Sequence, residues 1–130
     1  MISELDIGWL AGLLEGEGSF RYYHSQQIDL NMTDEDVVER YARITGELTE
    51  SKVNIVVRND SKANKKHKVV FRVTISGERA RIVMRTIVGH MGWRRRQRIW
   101  QSLNKYIPKR KKTLQECGIN VVDLGKQRIA

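Results

Sequence analysis

The sequence predicts an α+β domain: an antiparallel sheet with its helices on one face. Three observations predict it. Apolar residues recur at helical spacing in four segments and at every second position in four others. These segments alternate in the order α-β-β-α-β-β-α-α, an αββαββα core followed by one more helix. The strand segments come as neighbouring pairs, which is the connectivity of hairpins rather than of crossovers.

Residues 4–16 read as the first helix, with Leu5, Trp9, Leu10, Leu13 and Leu14 as its apolar stripe and Gly16-Glu17-Gly18 as its stop. Residues 19–26 then alternate, Phe20 and Tyr22 on one face, Arg21, Tyr23 and Ser25 on the other. Residues 27–32 repeat the pattern, with Ile28, Leu30 and Met32 inward and Gln27, Asp29 and Asn31 outward. Thr33 is the expected N-cap of a second helix, with acids in its first turn, running to Gly46 on Val37, Val38, Tyr41, Ala42 and Ile44. Val53, Ile55 and Val57 alternate with Lys52, Asn54, Val56 and Arg58. Val69, Phe71, Val73 and Ile75 alternate with Lys68, Val70, Arg72 and Thr74. The Lys-rich residues 59–67 between them read as a hairpin loop. A third helix from about Ser76 or Gly77 carries Ala80, Val83, Met84, Ile87 and Val88, and Gly89 and Gly92 break it. A fourth runs from Trp93 to Ile107, where Pro108 ends it. Residues 1–107 are thus one domain, and residues 108–130 a basic tail.

Composition narrows the partners. The 130 residues carry 24 Lys and Arg against 15 Asp and Glu, a net charge of +9. The charge is segregated. Residues 1–50 hold 11 acids and three bases, while residues 51–130 hold 21 bases and four acids. A merely soluble surface mixes its signs, so a basic face toward a polyanion is expected. No apolar run is long enough to span a bilayer, and no amphipathic basic helix favours a membrane surface. Cys117 alone excludes an internal disulfide and suits a reducing compartment. The N-terminus, with Glu4 and Asp6, does not read as a signal peptide. The expected setting is the cytoplasm, in association with the nucleoid, or its equivalent in an organelle or a phage-infected cell.

The outward sheet positions collect Arg21, Tyr23, Gln27, Asn31, Lys52, Asn54, Arg58, Lys68 and Arg72. An antiparallel sheet can simply be wet on one side. Taken with the charge asymmetry, this set of donors favours DNA, whose major groove accepts a β-ribbon and offers base edges to Arg, Lys, Asn and Gln. On the first helix, Gly8, Gly12 and Gly16 recur every four residues along one side. Each interior glycine costs roughly 1 kcal/mol relative to alanine, and close approach of a second helix is the reason that fits all three. Glu17 then stands at the helix C-terminus, beside the negative end of the dipole. Two copies of this helix packed through their glycines would bring such carboxylates together, and a divalent cation between them would offset the repulsion. Mg2+ takes oxygen ligands of this kind together with phosphate and water.

The nine residues Leu10-Ala11-Gly12-Leu13-Leu14-Glu15-Gly16-Glu17-Gly18 resemble the LAGLIDADG motif of the homing endonucleases, with acids in both acidic slots. The resemblance extends through the αββαββα order to about residue 107. It implies a site-specific, Mg2+-dependent endonuclease acting on double-stranded DNA. It also implies that the motif helix forms a two-fold interface through Gly8, Gly12 and Gly16. Glu17, with Gly16, would hold the metal at the scissile phosphates. A single motif implies the homodimeric branch and a near-palindromic target. Where the family often carries a lysine, this chain has Arg94-Arg95-Arg96-Gln97. Arg94 and Gln97 are therefore the candidates for assisting catalysis, and Arg95 and Arg96 for contacting DNA. A regulator or RNA maturase on the same fold, binding without cutting, is the alternative.

Overall fold

The computed structural model describes residues 1–59 and 69–105. Helix α1 spans Glu4–Glu17, strand β1 Gly18–Tyr22, strand β2 Gln26–Met32 and helix α2 Glu35–Thr49. Strand β3 follows at Val56–Asn59, strand β4 at Val69–Ser76, helix α3 at Glu78–Ile87 and helix α4 at Trp93–Asn104. The four strands make one antiparallel sheet in the order β1-β2-β4-β3. The α+β class and the antiparallel sheet agree with the sequence pattern. Lys68, most of the expected hairpin loop and the tail from residue 108 lie outside the described residues.

Register explains where the core sits. Phe20 pairs with Ile28 and Ile28 with Ile75; Leu30 pairs with Val73. Paired residues share a face, so these rows present one continuous apolar surface. Leu10 and Leu14 of α1, Val38, Tyr41 and Ile44 of α2, Val83, Met84 and Ile87 of α3, and Ile99 and Leu103 of α4 join it in a single cluster. Each such side chain, fully buried, stabilises by about 1.5–3 kcal/mol, so the shared core rather than any one helix holds the fold. The start of α1 is fixed locally. The Ser3 hydroxyl accepts the Asp6 N–H at 3.1 Å, and the Asp6 carboxylate accepts the Ser3 N–H at 3.0 Å. Those hydrogen bonds, the backbone one first, hold the Asp6 carboxyl below its ordinary value.

Several boundaries differ from the pattern reading. β1 stops at Tyr22 because the register Tyr22–Gln26 leaves Tyr23, His24 and Ser25 as a three-residue loop, with His24 in the left-handed region at φ 63°. Tyr23 is therefore on the turn and largely exposed, not on the sheet face. Asp34 rather than Thr33 stands at the N-cap position of α2, without a side-chain capping hydrogen bond, and the helix runs through Gly46 to Thr49. Gly46 does not stop the helix. It lets the returning chain come close: Ser51 N–H donates to the Gly46 carbonyl at 3.0 Å, and a Cβ on Gly46 would sit 2.9 Å from the Ser51 carbonyl oxygen.

The third strand begins only at Val56, so Lys52 and Asn54 stand on the irregular segment before it. Val53 and Ile55 still pack against the core there. Val57, expected inside, is exposed, because its row, Met32–Phe71–Val57, extends past the fully buried part of the core. Among the described residues no helix is long and apolar enough to cross a membrane.

Candidate functional site

Two surfaces gather the residues singled out by sequence. The first is the side of α1 that faces away from the core. Gly8, Gly12 and Gly16 are exposed there, and a Cβ added to any of them would meet nothing within 4 Å. Leu5, on the same side, is 83% exposed. A neighbouring depression is lined by Glu4, Leu5, Gly8, Trp9 and Arg40, and the Arg40 guanidinium of α2 lies 4.2 Å over the Trp9 ring. Among the described residues no neighbour requires these glycines to lack side chains.

Gly18 contrasts with them. Its Cβ would fall 2.7 Å from the Leu14 Cδ2 and 2.8 Å from the Leu14 carbonyl oxygen. Glycine there allows the helix to pass directly into β1, and Glu17 is the last helical residue before that junction.

The two acids of the motif have separate fates. Glu15 accepts the Gly92 N–H at 2.6 Å, at the N-cap of α4, while Arg95 Nε donates to the Glu15 carbonyl oxygen at 3.0 Å. An anion at one helix's start and a cation at another's end are both favourable to the dipoles. The last turn of α1 and the first turn of α4, which carries Arg94, are thereby fastened together. Glu17 is exposed and has no hydrogen bond or ion pair from its side chain among the described residues. The Gly16 carbonyl, at the open helix end, takes no hydrogen bond from a loop or side chain there. Two hard oxygens in adjacent residues suit Mg2+, but a six-coordinate ion needs further ligands from elsewhere. Among the described residues no group of three or more His, Cys, Asp and Glu is placed to hold a metal ion.

The arginines of α4 are unequal. Arg95 is tied to α1, and Arg96 donates to the Gly89 and Met91 carbonyls at 3.2 and 3.1 Å. Arg94, Gln97, Arg98 and Gln101 line an open depression with Arg95. Arg98 also donates to the Phe20 carbonyl at 3.0 Å, and the Ser102 hydroxyl to that of Arg21 at 3.2 Å, so α4 runs along the outer edge of β1. Arg98, Gln101 and Lys105 belong beside Arg94 on this side. Their spacing of four, three and four was visible in sequence, but the acid-free stretch offered no way to choose among so many bases.

The second surface is the open face of the sheet. The pairings place Arg21, Gln27 and Ser76 in one row, Ser19, Asp29 and Thr74 in the next, and Asn31, Arg72 and Val56 in a third, with Arg58 beside Val70 beyond. Arg21, Gln27, Asn31, Arg58 and Arg72 thus share a face, as the alternation implied. Asp29 at its middle was not singled out by sequence. Its side chain is fully buried, among Arg21, Gln27, Arg72 and Thr74. Burial alone would raise the Asp29 carboxyl, yet hydrogen bonds from Thr74, Arg21 and Gln27, with the charge of Arg21, hold it below its ordinary value. No family model matches the sequence and no curated protein matches it at a significant level, which leaves the geometry of these two surfaces as the guide to their chemistry.

Proposed function

We propose that this chain is a homing-endonuclease-like enzyme: a Mg2+-dependent homodimer that cuts double-stranded DNA at a long, near-palindromic site. The observation that carries this reading is the bare side of α1. A helix with Leu5, Gly8, Gly12 and Gly16 facing solvent, ending in a Glu17 that has no side-chain partner among the described residues, has the features of a contact surface with an acid at its end. Two copies related by a two-fold axis through these glycines would set two Glu17 carboxylates and two Gly16 carbonyls together.

Bound there, Mg2+ would supply Lewis acidity, lowering the pKa of a water and stabilising the leaving oxygen of a phosphodiester. The chain's own groups do the rest. Glu17 and Gly16 provide oxygen ligands and repel each other less when a cation lies between the copies. Arg94, in the α4 turn fastened to α1, would balance charge at the phosphate, and Gln97 would orient a water. Arginine stays protonated at neutral pH, so Arg94 does not shuttle protons. Arg21, Gln27, Asn31, Arg58 and Arg72, on the open face of the sheet, would contact the duplex, whose major groove accepts a β-ribbon.

A second reading, a DNA-binding regulator or maturase that does not cut, draws support from one observation: Arg95 and Arg96 are engaged on backbone carbonyls, leaving Arg94 as the arginine of the triplet without such a bond among the described residues. A plasmid-nicking assay with Mg2+ over a library of sites separates the two. Glu17→Gln is expected to lower cleavage at least about 100-fold while duplex binding persists. Loss of binding and cutting together would refute the metal role of Glu17.

A further inference from the structure

We propose that Asp29 is a positioning residue that sets which hydrogen-bonding groups the open sheet face presents to a nucleic acid, and so determines sequence preference without touching the bases. The inference rests on the DNA-binding reading above and deepens it.

A buried carboxylate in the centre of a basic face is electrostatically adverse to binding phosphate, so its presence calls for another role. Asp29 is fully buried and, ionised, can only accept hydrogen bonds. Every neighbour must therefore turn a donor inward. Arg21 donates through both Nε and Nη2, using two of its five N–H groups, and its side chain stays 49% exposed. Gln27 donates through Nε2, at 3.0 and 3.3 Å to the two carboxylate oxygens. That fixes the amide orientation and leaves Oε1 as the group free to meet a partner. Thr74 donates its hydroxyl at 2.7 Å, leaving only lone pairs to offer. Arg72 Nη2 approaches Oδ1, the oxygen that Thr74 also bonds, at 3.6 Å.

The face therefore carries a defined pattern. Arg21 offers donors, and Gln27 and Thr74 offer acceptors. Arginine donors suit the O6 and N7 of guanine, and acceptors suit the amino groups of adenine or cytosine. With asparagine at position 29, an amide that both donates and accepts would let Gln27 and Thr74 turn either way. It would also release the charge of Arg21. Discrimination should fall while general attraction to phosphate rises.

The experiment selects duplexes from a randomised library with the full chain and with Asp29→Asn, comparing affinity for the selected motif with affinity for the unselected pool. The arginine Nε–H signals of the free proteins are recorded by NMR alongside. The expected result is a motif whose preference falls about ten-fold in Asp29→Asn, with pool binding at least as tight. The log K against log[salt] slope should steepen by about 0.9 for each further phosphate that the released charge neutralises. The Arg21 signal, ordered in the parent, should average in the variant. Thr74→Val removes one donor and keeps the carboxylate. It gives the same test by a smaller loss of preference if Asp29→Asn does not fold. Unchanged discrimination in folded Asp29→Asn would overturn the proposal while leaving DNA binding intact. If the parent bound no duplex although its Arg21 signal were ordered, the DNA reading itself would fail and this inference with it.

Discussion

Helices α1 and α2 pack side by side over the same sheet, and their inner faces are alike, yet their outer sides have nothing in common. α2 turns Glu35, Asp36, Glu39, Arg40, Arg43 and Glu47 to solvent, with an Arg43–Glu47 ion pair at 3.7 Å. That is the ordinary amphipathic solution for a helix whose only task is to cover a core. α1 turns out Leu5 and three glycines. Nothing described in the protomer rewards that choice, and alanine at those positions would form a better helix. The comparison teaches that a helix can be over-determined by its core on one side and under-explained on the other, and that the unexplained side is where to look for a partner.

The sharpest way to break the comparison is a charge on each outer side. Gly12→Arg meets open space in the described chain, so folding should survive while the proposed dimerisation weakens by at least about 100-fold in Kd, some 2.7 kcal/mol. Glu39→Arg, on the exposed side of α2, should leave assembly unchanged. Sedimentation of both variants decides; a Gly12→Arg chain that still dimerised like its parent would remove the special status of α1.

Next in size is the contrast between glycines within α1 and the one that ends it. Gly18→Ala, forced against Leu14, should cost about 2 kcal/mol in urea unfolding. Gly8→Ala should instead gain up to about 1 kcal/mol in the isolated protomer and weaken assembly.

The sheet beneath both helices makes a third test. With its folded carboxyl held below the ordinary 3.8, Asp29 contributes stability that is present above that value and lost as the pH falls through the folded one. Asp29→Asn should lose roughly 2 kcal/mol at neutral pH, moderated because Arg21 and Arg72 can return partly to water, and less on acidification than the parent. Thermal melts between pH 7 and 2 report it.

The smallest effect lies on the inner side of α2. The Tyr41 hydroxyl is buried with no hydrogen-bond partner among the described residues, and burial, with the charge of Asp29, pushes its ionisation far above the usual range. Tyr41→Phe should be neutral or stabilise by about 1 kcal/mol in the same unfolding assay.

Much of this architecture was legible residue by residue. The 3.6 spacing of Trp9, Leu10, Leu13 and Leu14, and the alternation from Phe20 to Met32 and from Phe71 to Ile75, are local signals that survive folding because each element obeys its own period, whereas Leu5 and Val69, read into the same apolar faces, are exposed because they lie beyond the core. The glycine register of α1 and the odd position of Glu17 were equally visible. The misplacements were of another kind. Gly46 read as a stop because nothing local says that Ser51 returns to it. Lys52 and Asn54 read as strand because their alternation begins ahead of the pairing, which starts only at Val56.

Periodicity alone determined the class, the order of elements and the faces on which Arg21, Gln27, Asn31, Arg58 and Arg72 would lie, since those follow from backbone geometry within a few residues. Only tertiary structure decided that Glu15 would cap α4 while Glu17 took no partner among the described residues, that Arg95 and Arg96 would hold carbonyls there while Arg94 did not, and that Asp29 would gather four partners from three strands. Those outcomes depend on strand register and helix docking, which join residues up to 81 positions apart, and no local pattern encodes a contact with a distant segment.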